Sequence, residues 1–218
     1  MSDTAANPQD WAETTEQSVL DEALRLAPRL GWNAGLARAA AVAAGLNAGE
    51  AQLLLPQGPK DLAALLSRRH DQAALAALAA LNPQPLKIRD KIRAGVIARL
   101  DAAAGDAEAL RKLAAFLAFP TNFALALTLM WESADALWRW AGDTATDENH
   151  YSKRAILSGI LVSTLAVDMA SGRESALKHL EDRIDNVMAF EKWKAGLKPM
   201  NLAAEVAAAL ARMRYGRS

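Results

Sequence analysis

The sequence predicts an all-α protein of about ten helices, and three observations carry that expectation. Apolar residues recur at intervals of three and four: Val19, Ala23, Leu26 and Leu30; Leu62, Leu65 and Leu66; Ile88, Ile92, Val96 and Leu100. No stretch shows the strict alternation of a half-buried strand. Gly and Pro fall at helix-length intervals, at Gly31, Gly45, PQGP (56–59), NPQP (82–85), Gly105, Gly142, Gly172 and KPMN (198–201).

The elements follow in order. The N-terminal segment carries six acids (Asp3, Asp10, Glu13, Glu16, Asp21, Glu22) before its first base, Arg25. Neither a secretory signal nor an Arg-rich transit peptide has that pattern, so a cytosolic, bacterial protein is expected. In GLNAGEAQLLLPQGPKDL (45–62) a helix should end at Gly45, and a short one should open at Asn47. Glu50 stands where it completes a capping box with Asn47. That outline is a helix-turn-helix. NPQP closes a head of residues 1–82, followed by a helical body over 83–199 and a final helix over 200–218. A short helix-turn-helix head before an apolar helical body resembles the architecture of TetR-like regulators, with the helix-turn-helix here vestigial.

Within the body, Asp106 is read as an N-cap, and Gly142 and Gly172 as helix stops. Residues 113–131 hold no charge and approach the length of a membrane span. Pro120 divides them, and Lys112 and Glu132 continue amphipathic patterns on either side. Two buried helices meeting at Pro120 are therefore expected, since Pro is well tolerated in a first helical turn.

Charge excludes several functions. The 218 residues hold 25 Lys and Arg against 25 Asp and Glu, so the net charge is zero and no bulk field draws in nucleic acid. From residue 30 to 66 the charges are Arg38, Glu50, Lys60 and Asp61, which cancel. The third helix offers one adenine-reading side chain, Gln52, followed by three leucines that belong in a core. Few phosphates could be neutralised, and no operator binding is expected. There is no Cys, so disulfides and thiolate metal sites are excluded. His70, His150 and His179 have no ligand-pair spacing, and neither a phosphate loop nor a nucleophile elbow occurs. The protein is read as a non-enzyme with no cofactor and no metal. The alternating bases Lys87, Arg89, Lys91 and Arg93 are read as the solvated flank of an Ile88/Ile92/Val96 stripe.

Apolar density points to a ligand. Phe116, Phe119, Phe123, Leu127 and Met130 follow one another around Pro120, and residues 155–167 carry no charge. Two such helices could wall an apolar cavity, with Ile156 and Ile160 on the opposite side.

Residues 134–157, ADALWRWAGDTATDENHYSKRAIL, carry a closer likeness. Their Ala-Asp-Ala-x-Trp, AGDTATD and Tyr-x-Lys-Arg spacing resembles the coenzyme Q biosynthesis protein nine family. GWNAGLARAAAVAAGLNAGE, LLPQG, LEDRIDNVM and ARMRYG extend the resemblance over most of the chain. It implies a TetR-like, lipid-binding accessory protein of ubiquinone synthesis. Such a protein binds isoprenoid quinone intermediates and presents them to the di-iron demethoxyubiquinone hydroxylase. The partner-facing patch then maps to Leu137, Trp138, Asp147, Tyr151 and Arg154. His150 stands where the family usually carries Trp, so a smaller, titratable ring replaces an aromatic anchor.

The resemblance also implies a homodimer and an amphipathic, membrane-seeking terminal helix. Here that helix would span 201–215, with Leu202, Val206, Leu210 and Met213 in one stripe beside Arg212 and Arg214. The location expected is the inner face of a bacterial inner membrane. Two other functions remain open on the sequence: a ligand-responsive regulator of the same fold, and a helical scaffold without a ligand.

Overall fold

Every Gly or Pro break before residue 197 falls at or beside a helix end. The computed structural model describes residues 8–144 and 148–196, with side chains over 11–144 and 150–189. Among the described residues there are nine α-helices and no strand. They are α1 (Pro8–Leu30), α2 (Ala34–Ala43), α3 (Ala48–Leu54), α4 (Pro59–Leu78), α5 (Ile88–Ala103), α6 (Ala107–Leu117), α7 (Phe123–Trp140), α8 (Glu148–Ser171) and α9 (Arg173–Gly196). Single 3-10 turns at Ala104–Asp106 and Pro120–Asn122 join α5 to α6 and α6 to α7.

Local chemistry sets several of these ends. Asn33 caps α2 by accepting from the Leu36 N–H. The Asn47–Glu50 capping box of α3 is present in both directions. Helix α7 stops in a Schellman motif: Gly142 takes φ 86°, the Asp143 N–H reaches back to Trp138 O, and the Gly142 N–H reaches Arg139 O. A side chain would be strained at that φ. The stop matters because it fixes where Asp143 points.

Two apolar clusters form the interior. The first joins α1 (Val19, Leu20, Ala23), α2 (Leu36, Ala40), the start of α4 (Leu62, Leu66), α6 (Ala109, Leu113) and Leu129 of α7. The second joins the end of α4 (Leu78), α5 (Val96, Leu100), the end of α7 (Ala134, Leu137, Trp138), α8 (Leu157, Ile160, Leu161) and α9 (Leu180, Ile184). Each fully buried Leu contributes roughly 1.5–3 kcal/mol. Helices α4 and α7 run through both clusters, and the layer between them is polar. Arg99 of α5 donates to Asp71 of α4 (2.7 Å), which also accepts from Ser133 of α7 (2.7 Å). Beside them His70 meets Asp106 (2.7 Å).

Three details differ from the sequence expectation. Asp106 begins α6, but its carboxylate serves His70 instead of capping the helix. The bases at the start of α5 are not merely solvated. Arg89 pairs with Asp185 and Arg93 with Glu181, both on α9, while Lys91 donates to Ala141 O. In α3, Leu53 is 85% exposed, and only Leu55, just past the helix, is buried. A seven-residue helix on the rim of the head has too little covered surface to hide three successive leucines.

At Pro120 the path bends by 100°. Asn122, buried at the bend, donates to Phe116 O (2.9 Å) and closes the corner. One described helical stretch, His150–Ser171, is long and apolar enough to cross a bilayer, and 28% of its most apolar window is buried.

Candidate functional site

An apolar groove of about 230 Å³ lies between α5, α8 and α9. The amphipathic start of α5 supplies Ile88 and Ile92, α8 supplies Ile156, Leu157 and Ile160, and α9 supplies Ile184, Val187 and Met188. Trp138 of α7 forms part of its wall. Leu157, Ile160 and Ile184 are buried, whereas Ile88 and Ser152 are exposed, so the groove deepens away from the start of α8. Arg89, Ser152 and Lys153 provide its polar lining. The arrangement suits an apolar chain with a polar group at the exposed end.

The groove borders the corner between α7 and α8, where four charged side chains converge. Arg154 is 2% exposed. Its Nε donates to Asp135 Oδ1, and one terminal nitrogen donates to Asp143 Oδ2 (3.1 Å) and His150 O (3.2 Å). Lys153 Nζ takes the other Asp143 oxygen at 2.6 Å and sits 5.5 Å from the centre of the Trp138 ring. Trp138 Nε1 in turn donates to Lys153 O (3.1 Å). Burial alone would raise the Asp143 carboxyl, but hydrogen bonds from Lys153 and Arg154 outweigh it and hold the pKa below its ordinary value.

Outside this corner is an aromatic ladder. Trp131 of α7 lies 6.0 Å from the Tyr151 ring, and His150 meets Tyr151 edge-on at 5.2 Å. Tyr151 is 64% exposed. Amphipathic rings of this kind are frequent protein-interface anchors.

The residues expected to line one cavity are divided among three places. Ile156 and Ile160 line the groove. Phe116 and Met130 pack against the first core cluster instead. Phe119, Phe123 and Leu127 are 64%, 58% and 57% exposed. The bend at Pro120 is the physical reason. It lays α6 against α1 and turns the start of α7 outward, so the phenylalanines never face α8.

The expected partner patch also divides. Tyr151 is exposed and His150 half-buried, while Leu137, Trp138 and Arg154 are all buried and cannot touch a docked protein. Asp147 lies outside the described residues, as do Leu202, Val206, Leu210, Arg212, Met213 and Arg214. The corner network, in which Asp143 pairs with Lys153 and Arg154, was not among the features expected from the sequence. The signal available was two acids, Asp135 and Asp143, upstream of adjacent bases at 153 and 154. Among the described residues no three His, Asp or Glu side chains gather as metal ligands would.

The fold and groove define an all-helical protein with an apolar ligand groove next to a charged, aromatic corner. The COQ9 family profile matches residues 123–191, the stretch that contains α7, the corner, α8 and most of α9. The chain is 30% identical over 190 residues to "Ubiquinone biosynthesis protein COQ9-B, mitochondrial" of Xenopus laevis, covering 81% of this chain and 63% of that protein. It is 28% identical to the Bos taurus and 25% identical to the Homo sapiens "Ubiquinone biosynthesis protein COQ9, mitochondrial", covering 81% of this chain and 58% of each. The chain thus spans about three-fifths of the length of these relatives. These likenesses support membership of the COQ9 family.

Proposed function

We propose that the protein is a lipid-binding accessory factor of ubiquinone biosynthesis. Its groove holds the isoprenoid chain of a quinone intermediate, and the corner beside it faces the di-iron demethoxyubiquinone hydroxylase that acts on the head group. The observation that carries this reading is the shared wall: Trp138 and Lys153 line the groove and belong to the corner network. A groove that buries apolar area while keeping its polar lining near an exposed aromatic surface serves presentation better than storage. The kinship with proteins named for ubiquinone biosynthesis supports the pathway. The same reading includes a homodimer and reversible attachment to the inner face of a bacterial inner membrane through residues 201–215.

Native mass spectrometry with lipid extraction tests the groove. Purified protein should carry an isoprenoid species. Ile156→Trp and Ile160→Trp, which fill the groove, should lower recovery at least fivefold while leaving the far-UV dichroism unchanged. Overpacking should cost about 1–3 kcal/mol. Equal recovery from both variants would remove the groove as the binding site.

A further inference from the structure

Arg154 is sealed from solvent, yet all three of its acceptors lie at the junction of two helices. Asp135 belongs to the last turns of α7, Asp143 to the Schellman stop that follows, and the His150 carbonyl to the start of α8. One guanidinium therefore ties both sides of the corner. We propose that Arg154, paired with Asp135 and Asp143, is a positioning residue that sets the register of α8 against α7. In that register His150, Tyr151 and Trp131 form one recognition surface, and Lys153 stays in the groove wall. This deepens the partner function proposed above and rests on it.

The physical case starts from what a buried ion pair is good for. Desolvating two charges costs several kcal/mol per ion, and well-packed apolar replacements are often as stable. Fixing a register is the better-attested use of such pairs. The geometry fits that use. A guanidinium has a rigid fork of donors, so Asp135 on Nε, together with Asp143 and the His150 carbonyl on one terminal nitrogen, holds it in one orientation. Arg154 and Tyr151 share α8, whereas Asp135, Asp143 and Trp131 lie on α7 and its stop. A rotation of α8 about its axis would therefore break the two carboxylate bonds and the Trp131–Tyr151 contact together. The carboxylates also have other partners. Asp135 pairs with Arg139 at 2.6 Å, and Asp143 with Lys153. Lys153 in turn lies over Trp138 in the groove wall. One carboxylate, Asp143, therefore serves both the groove wall and the surface ladder.

The experiment compares Arg154→Met/Asp143→Asn, which removes both charges at similar volume, with Tyr151→Ala. Two readouts are needed. One is affinity for purified demethoxyubiquinone hydroxylase, and the other is amide exchange over residues 150–158 of the full chain. Positioning predicts at least a tenfold loss of hydroxylase affinity and at least tenfold faster exchange over 150–158. Exchange in α1 and α4, and the Tm to within a few degrees, should stay at wild-type values. Arg154→Lys, which keeps the charge but not the fork, should fall between the two in both readouts. If the double variant does not fold, Arg154→Lys carries the same test. Tyr151→Ala separates the two ideas. If it binds the hydroxylase as wild type does, the partner reading fails, and faster local exchange in the Arg154 variants would still support the register. Wild-type exchange over 150–158 in both Arg154 variants overturns the proposal, as does uniform acceleration throughout the chain with a matching drop in Tm.

Discussion

Helix α7 serves two buried guanidinium groups from opposite faces, and they are differently built. Arg99, 3% exposed, meets it through Asp71, whose carboxylate also accepts from Ser133. Arg154, 2% exposed, meets it at Asp135, two residues further on. The Arg99 cluster sits between the two apolar clusters, with His70 and Asp106 as its polar neighbours, and both Arg99 and His70 are sealed. The Arg154 cluster lies directly beneath an exposed Tyr and shares Lys153 with the groove. Similar burial thus serves two ends. The first group holds α4, α5 and α7 in register inside the protein, and the second holds a surface in shape.

The largest expected effect tests whether the partners really differ. Among the described residues Asp71 forms its ion pair with Arg99 alone, so Arg99→Met strands a carboxylate that is 13% exposed. Breaking such a pair costs about 3–5 kcal/mol, and Asp71→Asn in the same chain should recover most of it. Arg154→Met leaves Asp135 with Arg139 and Asp143 with Lys153, so its cost should be closer to about 1–2 kcal/mol. Urea denaturation of the three variants measures both values. Equal losses for Arg99→Met and Arg154→Met would erase the distinction.

Acid should separate the clusters next. Burial, reinforced by Arg99, lowers the His70 pKa from 6.5, against a smaller pull upward from Asp106. The unfolded chain therefore binds a proton at His70 before the folded one does. Stability tied to this group is complete above about pH 6.5 and is lost as pH falls through the lower, folded pKa. Asp143 has the same sign in a lower window, because its pKa is held below 3.8 and its contribution disappears only as pH falls through that depressed value. Asp71, raised above 3.8 by burial, works in the opposite sense near the bottom of the range. His70→Gln should flatten the stability profile just below about pH 6.5 and leave the steeper acid limb in place. A profile unchanged by His70→Gln would show that the ring is not held neutral.

Legibility in the sequence followed the range of the cause. The helix stops at Gly31, Gly45, Gly142 and Gly172 and the Asn47–Glu50 box depend on residues within one turn, and all could be read directly. The bend at Pro120 was legible for the same reason. Its consequence was not, because whether Phe123 faces α8 or water depends on α1 drawing α6 aside. Residues 155–167 are apolar all round, so periodicity could not tell that Ile156 and Ile160 turn toward α5 and α9 while Val162 stays half exposed. The corner network was hidden by the ordinary habit of Arg. A basic residue after an exposed Tyr reads as surface unless its carboxylates are seen to converge on it. His70 and Asp106 are likewise far apart in the chain, and only the packing of α4 on α5 brings them together.

The smallest effect concerns two glycines, each within one or two turns of a buried arginine and each in a helix interior. Gly95 precedes Arg99 in α5, where an added Cβ would stand 3.2 Å from Leu137 Cδ2 and 3.4 Å from its Cδ1. Gly159 follows Arg154 in α8, and a Cβ there would meet nothing within 4 Å. Replacing Gly by Ala within a helix gains about 1 kcal/mol in propensity at both sites. At Gly159 nothing opposes that gain, so Gly159→Ala should raise stability by about 0.5–1 kcal/mol. At Gly95 the Leu137 methyl groups must give way, and Leu137 is buried among Val96, Trp138 and Leu157 in the second cluster. Displacing a packed side chain costs about 1–3 kcal/mol, so Gly95→Ala should be neutral to destabilising by about 1 kcal/mol. The opposite signs, read from denaturation midpoints at equal m-values, would show that the face of α5 next to Arg99 is closed and the outer face of α8 is open. Equal stabilisation by both substitutions would mean that Leu137 yields freely and that the junction of α5 with α7 is looser than the buried Arg99–Asp71–Ser133 network beside it implies.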